Sequence, residues 1–200
     1  MEIRPLKIAG AWEITPKQFG DHRGVFLEWF KSSTFTAATG RTLDLAQANC
    51  SVSEAGSLRG IHFTDNPPGQ AKYITCVKGA FLDVVVDLRV GSPTFGEWDA
   101  VVIDDVDRRA VFLAEGLGHA ILSLEDGSTV MYLCSIEYSP SGSRPRSLRS
   151  GTRDRLAEDG SSGQPLTYEL SAKDAAAPSL TTLRTDGLLP GFVAEESPNR

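Results

Sequence analysis

A chain of 200 residues with 40% hydrophobic and 23% charged positions has the make-up of an ordinary globular protein, long enough for one domain with a real core. Its net charge of −6 and pI near 5.1 exclude a general binder of phosphate backbones, so no nucleic-acid partner is expected. A local basic cluster on a small anionic ligand stays compatible with that balance.

Cys50, Cys76 and Cys134 are far apart, form no CxxC pair, and read as buried apolar thiols of a reduced compartment. The first residues, Met1 to Leu6, carry no signal-peptide core, and no apolar run approaches the ~18 residues of a membrane span. A cytoplasmic protein without a membrane partner is the expectation.

In chain order, residues 8–19 mix short apolar runs with Pro16, and Gly20-Asp21-His22-Arg23-Gly24 makes a turn feeding a strand over 25–30. Alternation there puts Phe26, Glu28 and Phe30 on one face, with Glu28 either an edge-strand polar residue or a ligand contact. Residues 31–40 suit a short helix capped by Ser32 or Ser33, and 46–53 a strand with Gln47 and Asn49 on a shared face.

Further strands are predicted over 57–63, 72–78, 80–89, 98–103, 110–113, 119–124 and 128–138. Turn chemistry separates them at Lys78-Gly79, Gly91 to Gly96, Asp104-Asp105, Gly116-Leu117-Gly118 and Asp126-Gly127. No helix-period stretch lies between strands, which excludes a doubly wound α/β fold. An antiparallel sandwich or barrel is left, with a jelly roll the two-sheet form, and no internal repeat is visible.

The chemistry concentrates in Arg59-Gly60-Ile61-His62-Phe63 and Gln70-Ala71-Lys72-Tyr73. Simple alternation places Arg59, Ile61 and Phe63 on one face and His62 on the other, and pairing of the two runs across Pro67-Pro68-Gly69 would stand Lys72 beside His62. On these residues alone, His62 is either a hydrogen-bonded structural group or the base of a site.

From Ser141 the composition turns basic and rich in Ser and Gly, and order is expected again near Leu166. Ser171 to Pro178 then reads as a capped helical turn stopped by proline.

Taken together, Asp21 to Phe26, Gln47-Ala48-Asn49, Arg59 to His62, Gln70-Ala71-Lys72, Asp83 to Arg89, Ser92 to Gly96, Gly116 to His119, Tyr132 with Tyr138, and Leu170 to Asp174 resemble the dTDP-4-dehydrorhamnose 3,5-epimerases. The pieces fall in the family's order with near-family spacing, over residues 3–140 and 166–190. The resemblance implies an all-β, cupin-type jelly roll in a single domain over 1–200, a homodimer, and dTDP-4-dehydro-6-deoxyglucose as substrate. It implies no cofactor. Metal-binding cupins carry a paired His-x-His, whereas this chain has Ile61-His62-Phe63 and three histidines in all, so no metal is expected.

A ketone at C4 of the sugar acidifies the hydrogens at C3 and C5, so inversion needs a base on one ring face, an acid on the other and a group that stabilises the enolate oxygen. By resemblance His62 is the base, Asp174 fixes its tautomer, Tyr132 is the acid, and Lys72 sits at the C4 oxygen. Arg23, Arg59 and Lys173 then serve the diphosphate and sugar, Gln47, Asn49 and Glu28 make polar contacts, His119 lies near the phosphates, and Tyr138 or Phe26 stacks on the base. From the residues alone, Asn49 equally satisfies backbone groups and Tyr138 equally belongs to a core.

One stretch departs from the family. Ser143 stands where the resemblance leads one to expect an acidic residue, and the Gly-Ile-x-Trp-Pro run that should follow is missing. One codon choice for Arg153 to Glu158, read one base later, spells Gly-Ile-Ala-Trp-Pro. Residues 143–162 are therefore expected to be either a stretch read out of frame or a disordered loop in place of a pocket wall.

The function that results is epimerisation at C3 and C5 giving dTDP-4-dehydro-L-rhamnose. A 3-epimerase or 5-epimerase of an antibiotic deoxysugar pathway, and a non-catalytic cupin that binds sugar nucleotides, are the alternatives.

Overall fold

Short strands stack here into two antiparallel layers, described in a computed structural model for residues 1–138, 146–148, 160, 163 and 165–193. In chain order the elements are β1 (Glu2–Pro5), β2 (Ala11–Thr15), β3 (Gln18–Asp21), β4 (Gly24–Leu27), α1 (Ser32–Thr39), β5 (Gln47–Ser53), β6 (Leu58–Phe63), β7 (Lys72–Lys78) and β8 (Ala80–Asp87). Then come β9 (Trp98–Asp104), β10 (Ala110–Leu113), β11 (Leu117–Ser123), β12 (Ser128–Cys134), β13 (Arg146–Ser147), α2 (Ala172–Ala175) and α3 (Leu180–Thr185).

One sheet runs β1-β2-β10-β7-β12-β5 and the other β13-β6-β11-β8-β9, while β3 and β4 form a separate hairpin. Between the layers lie Ile74, Phe81, Val85, Ile103 and Val111, each nearly or fully buried. Burying side chains of this size is worth about 1.5–3 kcal/mol apiece, so this layer is a principal source of stability. The all-β expectation holds.

The second sheet is covered on both faces. Its other side, with Leu58, Ile61, Phe63, Val84 and Leu122, packs against Leu148 and Leu183 from the C-terminal part of the chain. That part is stitched down by backbone hydrogen bonds from Leu58 N to Glu169 O and from Glu169 N to Gly56 O. Gly56 is required there, because its φ is +81° and a Cβ would lie 2.1 Å from Thr167 O.

Several local expectations are corrected. The strand over 25–30 stops at Leu27, so Glu28 and Phe30 do not continue the face of Phe26. Helix α1 begins after Lys31 without a side-chain cap, so neither Ser32 nor Ser33 plays that part, and it closes on Gly40 at φ 72°. Strand β12 ends at Cys134, leaving Tyr138 beyond it, and α3 had no counterpart in the strand-and-turn pattern. Cys76 and Cys134 are buried, but Cys50 is exposed on the edge strand β5, where one face has no neighbouring layer. Burial pushes the Cys76 thiol up to about 12, which makes it inert.

Two corrections bear on the site. Strands β6 and β7 do not pair across Pro67-Pro68-Gly69; they belong to opposite sheets, and His62 and Lys72 approach from opposite layers. Strand β6 also carries a bulge: His62 pairs with His119 and Arg59 with Ile121, so three steps on β6 match two on β11. The extra residue turns Arg59 to the His62 side, while Ile61 and Phe63 stay in the core. Gly60 permits this, since its φ is +116° and a Cβ would stand 2.5 Å from His119 O.

Of the unusual segment 143–162, residues Arg146 and Ser147 pair with Phe63 and His62 as an edge strand, and Leu148 is buried. At these positions the disordered-loop expectation does not hold. The other positions of that segment, apart from Gly160 and Gly163 beside it, lie outside the described residues, and the frame question with them.

Candidate active site

Between the layers a cavity of about 540 Å³ opens, large enough for a sugar and part of a nucleotide. One wall is β6 and β11, giving Arg59, His62 and His119; the facing wall is β7 and β12, giving Lys72 and Tyr132. Residues 169–174 close one side with Lys173 and Asp174.

His62 is built into place from both flanks, paired with His119 on β11 and with Ser147 on β13. Its Nε2 lies 2.8 Å from Asp174 Oδ1. A carboxylate accepts only, so Nε2 carries the proton and Nδ1 is left with a free lone pair. Asp174 is held in turn: Ser147 Oγ donates to Oδ1 at 2.9 Å, Gly60 N–H points at Oδ2 at 3.4 Å, and Ser171 caps helix α2 by accepting from Asp174 N–H.

Burial works to raise the Asp174 carboxyl, but the hydrogen bond and charge of His62, with the bonds from Ser147 and Gly60, outweigh it and hold the group below the usual carboxylate range. Desolvation lowers His62, and nearby Lys72 and Lys173 lower it further, against the upward pull of Asp174. The net result is an imidazole that is neutral at physiological pH, as a proton acceptor must be. Burial raises Tyr132, which keeps the phenol protonated, as a proton donor must be. Desolvation lowers Lys72, against the charges of Cys134 and Asp83.

Arg59 reaches across the mouth, donating from Nε to Ser53 Oγ at 3.1 Å and from Nη2 to Val52 O at 3.2 Å. The cavity thus gathers His62, Lys72, Arg59, His119, Tyr132, Lys173 and Asp174 from the sequence-based set. Gln47 and Asn49 lie on the same strand as the cavity-lining Ser51 and bond to each other at 2.7 Å, with Asn49 paired in register with Tyr132. They stand at the edge, outside the lining, and Tyr138 is exposed beside them with its N–H on Gln47 Oε1 at 2.8 Å.

Arg23, Phe26 and Glu28 are not brought to this cavity. Arg23 is exposed and paired with Asp21, Glu28 with Lys31, and Phe26 is 65% exposed next to Phe19. Ser147 and Gly60 both bond to Asp174 and were not among the sequence-based site residues, Ser147 because it sits in the segment read as a loop. Among the described residues, no three His, Cys, Asp or Glu side chains come together as a metal-ligand set.

A family model for dTDP-4-dehydrorhamnose 3,5-epimerase matches residues 5–182. The chain belongs to that family. A dTDP-4-dehydrorhamnose 3,5-epimerase of Mycolicibacterium smegmatis is 54% identical over 192 residues, covering 95% of this chain and 91% of its own. A dTDP-4-dehydrorhamnose 3-epimerase of Streptomyces niveus is 52% identical over 195 residues, covering 96% and 90%. The solved rmlC epimerase of Mycobacterium tuberculosis superposes with a TM-score of 0.85 at 52% identity, over 96% of this chain and 94% of that one. The two-sheet fold is thus the cupin-type jelly roll of an isomerase family that acts on dTDP-sugars.

Proposed function

We propose that this epimerase inverts both C3 and C5 of dTDP-4-dehydro-6-deoxyglucose, giving dTDP-4-dehydro-L-rhamnose, with His62 as base and Tyr132 as acid. The observation that carries the reading is the placement of an Asp174-held imidazole and a phenol on facing walls of one cavity. His62 Nδ1 removes the proton next to the ketone, and the electron pair moves into the C4 carbonyl as an enolate. The Lys72 ammonium offsets that charge in a low-dielectric cleft. The enolate carbon then takes the phenolic proton of Tyr132 on the opposite ring face, and solvent restores both side chains. No step calls for electron transfer.

Arg59 and Lys173 supply positive charge and donors for the diphosphate, with His119 as a further polar group beside them and Gln47, Asn49 and Tyr138 at the rim. Arg23, Phe26 and Glu28 reach a substrate in a homodimer, where the exposed β3–β4 hairpin of one copy borders the cavity of the other. Phe19, Val25 and Phe26, all exposed on that hairpin, are the apolar surface such an interface would cover. The reading places the enzyme in the cytoplasm, and among the described residues no helix is long and apolar enough to cross a membrane.

The direct test is product stereochemistry. Incubation with dTDP-4-dehydro-6-deoxyglucose, borohydride trapping and NMR of the released sugars should reveal the L-configuration with both centres inverted. Inversion at C3 alone would move the protein to the 3-epimerases that are among its relatives, and unaltered substrate would leave a sugar-nucleotide binder.

A further inference from the structure

The cavity holds a second imidazole arranged like the first. His119 is the cross-strand partner of His62, and its Nε2 lies 2.9 Å from Asp83 Oδ2, as His62 Nε2 lies 2.8 Å from Asp174. Asp83 is fully buried on the face of β8 that also carries Phe81 and Val85 into the interlayer core. Its Oδ1 has no hydrogen-bond partner among the described residues. A carboxylate oxygen in that position is unfavourable unless a positive charge faces it.

Lys72, whose ammonium feels the charge of Asp83, is the candidate for it. It comes from β7 in the opposite sheet and lines the cavity together with His119, and no hydrogen bond of its ammonium to a described residue is seen. We infer that Asp83 is a positioning residue with two tasks: it orients His119, and it is the counter-charge that keeps the Lys72 ammonium in place for the enolate oxygen. The inference rests on the proposed reading in which Lys72 faces that oxygen.

The other groups around Lys72 do not supply the counter-charge. From β12, Cys134 and Tyr132 are both pushed up by burial and are a neutral thiol and phenol at working pH. His62 on β6 is lowered, by desolvation first, and neutral, and His119 on β11 is turned to Asp83. Asp174 is occupied by His62 and Ser147, and Glu169 borders the cavity from beside Ser57. Desolvation drives Lys72 toward the neutral amine; Cys134 opposes this only as a thiolate, which burial disfavours, and Asp83 is the carboxylate that opposes it.

The test is the ionisation of Lys72, read by NMR of protein labelled with 13C at lysine Cε and assigned with Lys72→Arg. Asp83→Asn and Asp83→Ser both remove the charge, so whichever variant keeps the wild-type circular dichroism carries the experiment. The Lys72 midpoint is expected to fall by about one pH unit or more, and the alkaline limb of kcat to fall with it. In a Lys72→Arg background the Asp83 substitution should no longer move that limb, because a guanidinium does not deprotonate in the range. An unchanged Lys72 midpoint in a folded Asp83 variant overturns the inference. The titration needs no substrate, so failure of the wild type to epimerise would strike the proposed function and leave this result standing.

Discussion

The imidazole of His62 and the carboxylate of Asp174 are 112 positions apart in the chain and 2.8 Å apart in space. What joins them is the C-terminal segment laid over the β6 side of the second sheet, with Ser147 as a third member bonded to the same oxygen. An imidazole held this way depends on packing of the distant C-terminal segment.

Asp174→Asn should keep the fold and lower kcat by about 10²–10⁴-fold, because the amide no longer fixes the tautomer with Nδ1 free. The pH profile should move as well. In the proposed reading His62 acts as a base above its own pKa, which lies below the usual imidazole value for reasons of desolvation, so the acidic limb of the wild type should fall below that value. Asp174 pulls that pKa upward, so its removal should shift the acidic limb to still lower pH. Rates measured across the acidic range check both effects.

Ser147→Ala removes one donor from the Asp174 carboxylate, which raises the carboxyl toward its ordinary range. A loss of roughly 2–10-fold in kcat is expected, the kinetic equivalent of one hydrogen bond of modest net worth. Mass spectrometry of the peptide spanning residues 146–160 belongs beside this assay, since it establishes whether Arg146, Ser147 and Leu148 are the residues translated there.

If the β3–β4 hairpin serves the neighbouring copy, His62→Ala and Arg23→Ala proteins should complement. Each alone is impaired, by chemistry and by substrate affinity respectively, whereas a mixed dimer contains one cavity with neither substitution. Subunit exchange followed by assay should give activity above both parents, and no gain on mixing would place Arg23 outside the site.

Stability should depend on the buried Asp87, which accepts from Arg89 Nε, Arg89 Nη2, Ser92 Oγ and Thr94 Oγ1. Burial works to raise this carboxyl, but those bonds outweigh it and hold it low. A carboxyl lowered in the folded state contributes stability that is present above its unfolded pKa and lost as pH falls through the folded one. Arg89→Ala leaves the buried carboxylate without its main partner and is expected to cost about 3–5 kcal/mol in urea unfolding at neutral pH, with a smaller difference in acid.

The sequence shows its strands clearly where turn residues bracket short apolar runs, as from Lys72 to Asp87, where Lys78-Gly79 divides two strands buried on both faces. His62, Lys72 and Asp174 stand in short distinctive runs and Tyr132 was picked out by the family resemblance alone, and the fold brings all four to one cavity. What alternation misses is the bulge at Gly60, which turns Arg59 toward the cavity, since one inserted residue is invisible to a period of two. Pairing between β6 and β7 looked natural from the short Pro-Pro-Gly connection, yet that connection crosses between sheets. Ser147 was hidden by composition: two residues of edge strand in a basic, Ser-rich stretch carry no periodic signal.

The account stands most directly on isotope exchange at the sugar. In heavy water, wild-type protein with dTDP-4-dehydro-6-deoxyglucose should place deuterium at C5 and C3. His62→Ala should place none, and Tyr132→Phe should retain some exchange with little inverted product, because the base still works without the acid. Absence of label at both carbons with well-folded wild-type protein, or equal loss of exchange and inversion in Tyr132→Phe, would contradict it.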